Sequence, residues 1–336
     1  MSVSDVQAPM PAAAPGFWPR LLNHGRELGT LAGLLGLCVA LWIATPHFAT
    51  ASNLVNVVEQ STIIGIISVG MTFVILTGGI DLSVGSLVAL AGIAFGSAVQ
   101  AHAPLAVAIL VGLCAGLLCG VVNGLLIAFG RLPPFIATLG MMSVARGLAL
   151  IISGGRPISG FSLAFRSMAT GDLLGVPAPV ILMAALYAAA HFILTRTVLG
   201  RYTYAIGGNE EATALSGVNV SAYKIVVYGI AGLLSAVTAL LLAARLDSAQ
   251  PIAGINYELD AIAAVVIGGA SLLGGSGSVI GTLIGALIMS VLRNGLNLLG
   301  VSSYVQQIAI GAVIIVAVLV DMALRRRAPL PRGTAA

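Results

Sequence analysis

Ten stretches of this 336-residue sequence stay apolar for about the length of a bilayer crossing. They fall at 28–45, 54–78, 83–101, 104–129, 134–152, 178–195, 223–244, 259–273, 278–299 and 304–321. A hydrocarbon core ~30 Å thick takes about 20 helical residues to cross. Lipid offers no partner for a backbone N–H or C=O, so segments of this kind must satisfy those groups as helices. Only 8% of residues are charged and 59% are hydrophobic, whereas a soluble domain carries about 25% charge. Such a chain cannot cover its surface with charge, so lipid covers it. The expected fold is an all-α polytopic membrane protein of about ten transmembrane helices. Residues 28–321 form one transmembrane domain. Residues 1–27 are a disordered cytoplasmic tail, and residues 322–336 a basic one. The runs at 54–78 and 104–129 are long enough to tilt or break, and 259–273 is short.

Charge placement orients the chain. With the N-terminus in the cytoplasm, ten Lys and Arg fall in cytoplasmic segments, among them Arg131, Arg201, Lys224 and Arg325–Arg327. Three, Arg156, Arg166 and Arg245, fall on the other side. This is the positive-inside pattern, and it returns the C-terminus to the cytoplasm. Residues 1–19 contain no Lys or Arg. They lack the basic start of a cleavable signal peptide, so the first run is expected to persist as a span. The three cysteines lie in apolar runs without CxxC spacing and the four histidines are scattered. Neither a disulfide nor a metal site nor a catalytic His cluster is expected.

Glycine organises the helices. Gly112, Gly116, Gly120 and Gly124 recur every four residues, a stripe that lets one helix approach another closely. Turn residues at Pro46, Gly78-Gly79, Pro133-Pro134 and Gly274-Gly275 mark helix ends. Gly78, Gly79, Leu82, Gly85 and Ser86 match Gly268, Gly269, Leu272, Gly275 and Ser276 at one offset. Asn123, Gly124, Leu125 and Gly140 match Asn294, Gly295, Leu296 and Gly311 at another. Either duplication or the abundance of glycine produces such matches.

One polar island interrupts the pattern, GGNEEATALSG at 207–217, inside the cytoplasmic loop 196–222. Asn209 is an N-cap type. Glu210 and Glu211 then occupy a first turn, where the helix dipole favours them by about 0.3–1 kcal/mol each. Gly217 suits the residue that ends a helix. Ala214, Leu215 and Val218 supply an apolar face. A two-turn helix is marginal in water, so it lies against the bilayer, its own domain or a partner subunit.

The segment Glu211-Ala212-Thr213-Ala214-Leu215-Ser216-Gly217 resembles the EAA motif, Glu-Ala-Ala-x-x-x-Gly, of ABC importer permeases. Thr213 replaces the second Ala and the downstream Leu-Pro is absent. MTFVILTGGIDLSVGS (71–86), TVLGRYTYAIGGNEEATALSGVNV (197–220), DAIAAVVIGGASLLGGSGSVIGTLIGALI (260–288) and LRNGLNLLGVSSYVQQIAIGAVIIVAVLVD (292–321) are similar to the ribose-type monosaccharide permeases. The resemblance covers most of 45–321. It implies that Asn209, Glu210, Glu211, Ala212, Ala214, Leu215 and Gly217 form a coupling helix that fits a cleft in an ATP-binding subunit. It also implies an extracytoplasmic sugar-binding protein, with the 153–177 and 245–258 loops placed to receive it, and a second permease copy or paralogue.

The residues are compatible with that reading. A phosphate-cradling loop needs Gly-x-x-x-x-Gly-Lys-Ser/Thr, and the single lysine, Lys224, follows no such loop. The chain is expected to bind no cofactor, with ATP and Mg held by the partner subunit. Asp81 and Ser83 read as a helix cap or gate at the cytoplasmic rim, or as a substrate contact. Glu59, Arg146 and Arg293 lie in expected spans, where a lone charge costs about 2.5–3.5 kcal/mol on insertion scales. Glu59 is therefore expected to pair with one arginine. Asn123, Arg293, Asn294, Asn297, Gln306 and Glu59 either line a wet path for a polyhydroxylated solute or bond helix to helix. Aromatics are 5% of the chain, few for stacking a sugar ring, so tight recognition belongs to the binding protein. A nucleoside or branched-chain amino acid is an alternative cargo. Ion-coupled transport would need an intramembrane carboxylate, for which Glu59 is the candidate.

Overall fold

The computed structural model describes residues 17–173 and 175–327. The rest of both expected tails lies outside the described residues. Thirteen helices follow in order among them: α1 (Phe17–Ala44), α2 (Ala51–Leu76), α3 (Val84–Gln100), α4 (Leu105–Ala128), α5 (Pro134–Ser153), α6 (Leu163–Thr170), α7 (Ala178–Arg196), α8 (Val198–Gly208), α9 (Glu210–Leu215), α10 (Val220–Leu246), α11 (Tyr257–Ile267), α12 (Val279–Leu298) and α13 (Ser303–Arg327). Each apolar run holds one of them. Seven of the described helices are long and apolar enough to cross a membrane, and the apolar parts of α3 and α13 are shorter. At 1.5 Å per residue, the 11 residues of α11 extend about 16 Å, half a bilayer. The run at 259–273 is thus a half-helix followed by irregular chain. α1 starts at Phe17, so the second part of the expected N-terminal tail is helical, and Arg325–Arg327 close α13.

α2 is the central helix, and every residue from Ser61 to Leu76 is buried. It packs against α7, α10, α11 and α12. α4 faces outward except along its glycine stripe, which is buried as its spacing predicts. A Cβ on Gly116 would meet Gly232 O at 2.5 Å, one on Gly124 would meet Ile225 Cα at 2.5 Å, and one on Gly120 would overlap Tyr228 O. The stripe therefore lets the α4 and α10 backbones touch, which no larger residue permits.

Two breaks interrupt the bundle, 77–83 between α2 and α3 and 268–278 between α11 and α12. Both begin with the same turn. Gly78 N donates to Ile75 O and Gly79 N to Val74 O; Gly269 N donates to Val266 O and Ala270 N to Val265 O. Gly78 and Gly269 take φ of +77° and +91°, the left-handed position that ends a helix in this motif. The repeat between these segments is structural, but its true register pairs Gly78 with Gly269, one residue away from the sequence match. The second match fails, because Asn123 lies on α4, two helices after its break, and Asn294 on α12, directly after the other.

In the loops expected on the outer side, β1 (Ile158–Ser159) pairs antiparallel with β4 (Ser248–Ala249), and β2 (Asp172–Leu173) with β3 (Val176–Pro177). Phe95, Phe161 and Phe165 cluster beneath, with centroids 4.2–5.4 Å apart, Phe95 stacked on Phe165 and Phe161 edge-on to it. Asp247 Oδ1 accepts from Phe161 N at 2.9 Å, and Arg166 lies 3.6 Å from Asp247 Oδ2. The two outer loops singled out from sequence therefore form one surface.

Candidate coupling helix and polar path

α9 is built by its ends. Asn209 is extended (φ −160°, ψ 102°), and its Oδ1 accepts from Ala212 N at 2.9 Å. Gly217 takes φ +84° and closes the other end. Thr213, the only buried residue of the helix, donates through Oγ1 to Asn209 O at 2.7 Å. Lys224 Nζ reaches Glu210 Oε1 at 2.6 Å and ties α9 to α10. These contacts offset the cost of nucleating six residues. Glu211, Ala212, Ala214 and Leu215 remain exposed, Leu215 at 84%. The apolar residues of α9 are not used against the rest of the chain. Next to it, Tyr204 donates to Gly277 O at 2.9 Å, and burial pushes its phenol pKa up.

Asp81 is not at an exposed rim. The break at 77–83 turns inward, and Asp81, Ser83 and Asn123 are each 0% exposed. Asp81 Oδ1 accepts from Ser83 N at 2.8 Å and Ser83 Oγ at 2.6 Å, and Asn123 Nδ2 donates to Ser83 Oγ at 2.9 Å. Asp81 holds the N-cap residue of α3 in place, since Ser83 engages Asp81 and Asn123 through its hydroxyl and makes no side-chain capping bond to the helix backbone. Asp81 Oδ2, Asn123 Oδ1 and Tyr228 Oη are buried without a hydrogen-bond partner among the described residues.

The intramembrane charges pair differently from expectation. Arg293 binds Asp260 at 2.6 Å, with the Asp260 side chain 3% exposed. Arg146 donates to Pro251 O at 2.8 Å and Ala253 O at 2.7 Å. Glu59 and Arg245 line one small cleft, but among the described residues no ion pair joins Glu59 to an arginine. Asp260 was missed in the sequence, and its one signal was a carboxylate opening the shortest apolar run.

The amides bond helix to helix. Asn53 and Asn294 exchange two hydrogen bonds, at 3.0 and 2.9 Å, between α2 and α12. Gln306 donates to Asn297 Oδ1 at 2.7 Å. The candidate path residues thus fall into separate clusters. Asn123 lies at the first break, Arg293 on α11–α12, Asn294 on α2–α12, and Asn297 with Gln306 at the α12–α13 turn.

Residues 53–318 match the family described as branched-chain amino acid transport system / permease component. The chain belongs to this permease family. The permease is similar to the ribose import permease protein of Haemophilus influenzae, 49% identical over 88% of this chain and 93% of that one. It is 50% identical to the ribose import permease protein of Escherichia coli K12 over the same shares. It is 37% identical to the D-allose transport system permease protein of that organism, over 86% of this chain and 89% of the other. No solved structure matches it. The permease is a multi-pass protein of the bacterial inner membrane, and α9 is the element that places its EAA-like residues on the surface.

Proposed function

We propose that this permease is the membrane-spanning subunit of an ABC importer for a monosaccharide, a ribose-like pentose first among them. The observation that carries the reading is the half-identity to ribose import permeases over nearly the full length of both chains. A separate ATP-binding subunit, holding ATP and Mg, docks on α9. There Glu211 and Leu215 stand exposed on a helix that its own caps make rigid. An extracytoplasmic sugar-binding protein docks on the surface joined by β1 and β4. A second copy or a paralogue completes the path. Closure of the ATP-binding pair displaces α9, and the permease passes between inward- and outward-open forms that each ligand stabilises differently.

The test is uptake of labelled ribose, allose and xylose into vesicles holding the permease, its ATP-binding subunit and its binding protein. Wild type is expected to accumulate ribose only with ATP. Glu211→Arg is expected to lose at least tenfold of that uptake while inserting normally. Accumulation of leucine but of no sugar would move the cargo to the amino acids named by the family description. Uptake that follows an imposed ion gradient without ATP would overturn the importer class.

A further inference from the structure

Three backbone segments meet at the base of α9, and glycine is what lets them meet. Gly207 closes the last turn of α8, two residues before the Asn209 cap. A Cβ there would overlap Leu76 O and Gly275 N, and would lie 3.0 Å from Gly274 Cα. A Cβ on Gly274 would stand 2.7 Å from Gly78 N and 2.8 Å from Gly207 Cα, and one on Gly275 2.9 Å from Gly208 Cα. Gly275 N donates to Leu76 O at 3.0 Å. Leu76 is the last residue of α2, and Gly274 and Gly275 lie in the 268–278 break. The segment carrying α9 thus touches the end of α2 and the interior of the 268–278 break main chain to main chain, and the Tyr204 bond to Gly277 O reinforces it.

We propose that Gly207 and Gly275 are positioning residues of the transport cycle, whose backbone contact at Leu76 passes a displacement of α9 to both broken helices at once. The inference rests on the reading of α9 as the coupling helix. A contact between side chains absorbs small displacements by changing rotamer. A contact between main chains at van der Waals distance has no such slack, so close-packed elements move together or switch. Both breaks receive the same displacement, because Leu76 and Gly275 are hydrogen-bonded to each other.

The adjacent glycine supplies the control. Gly207 and Gly208 both belong to α8, but a Cβ on Gly208 meets nothing within 4 Å. Alanine at either position suits a helix, so only the contact distinguishes them. In vesicles with ATP-binding subunit and binding protein, Gly208→Ala is expected to transport within twofold of wild type. Gly207→Ala is expected to retain the ATP-binding subunit on copurification and to keep basal ATP hydrolysis, while uptake per ATP falls at least tenfold. Equal transport by both variants overturns the proposal. If Gly207→Ala does not accumulate in the membrane, Tyr204→Phe replaces it, removing one bond of the same contact without added bulk. A fall in uptake per ATP supports the proposal, and unchanged coupling overturns it. Glu211→Arg separates the two readings. If that variant transports normally, the coupling helix itself is wrong. If it fails while Gly207→Ala transports, only the joint is wrong.

Discussion

The two breaks begin with the same turn and are held in opposite ways. At 77–83 side chains hold the chain: Asp81 holds Ser83, Asn123 reaches in from α4, and Thr138 of α5 donates to Ile80 O at 3.2 Å. At 268–278 the break is held through its own backbone: Gly275 N donates to Leu76 O at 3.0 Å and Gly277 O accepts from Tyr204 at 2.9 Å. Ser271 N donates to Ser276 O at 2.8 Å, Ser271 Oγ accepts from Leu273 N at 3.1 Å, and Leu273 stands 80% exposed. The charged tie in this half, Asp260 to Arg293, lies on the helices flanking the break and not in it. One break is an anchor sunk among its neighbours. The other exposes its tip at Leu273 and is held by backbone contacts at Gly274, Gly275 and Gly277.

Arg293→Met should have the largest effect, because it leaves the buried Asp260 carboxylate without its cation. Removing one partner of a buried pair costs about 3–5 kcal/mol; the Arg293 side chain is 42% exposed, so the loss falls at the lower end, and thermal unfolding of the detergent-solubilised permease should show a correspondingly early transition. Asp81→Leu comes next. It strips the acceptor from two buried donors on Ser83, at about 1–3 kcal/mol for such a group. Asp81→Asn keeps an oxygen there and removes an unpaired charge, so the same melt should stay near wild type. Ser271→Ala at the other break removes one partly buried bond, about 1 kcal/mol. Leu273→Ser, at an exposed position, should shift stability by less than about 0.5 kcal/mol. If the Ser271 and Leu273 variants melt as early as Asp81→Leu, the contrast between the breaks does not hold.

What was legible in the sequence was local. Asn209 and Gly217 cap α9 as their types predict, because capping is decided within four residues. The stripe from Gly112 to Gly124 was legible as a contact face but not as a contact with α10, since spacing names a face and not its partner. The charges show the limit more sharply. Glu59 looked like the partner of one of the arginines, as a neighbour in kind. The partner Arg293 takes is Asp260, which lies in the first turn of α11, so the pairing depends on where that half-helix starts. Asn294 meets an amide 241 positions away, and Asp81 lies inside because its loop turns inward toward α4. No pattern along the chain encodes either.

The two short strands carry a consequence of their own. Ile158 faces Ala249 and Ser159 faces Ser248, so the chain between them is buckled into a ring. That ring holds α6, α7, α8, α9 and α10, with the EAA-like segment near its far point and the buckle at the other end of α7 and α10. In the proposed complex, a protein that lands on the buckle holds both ends of the strap whose middle meets the ATP-binding subunit, so the two partners grip the same loop of chain.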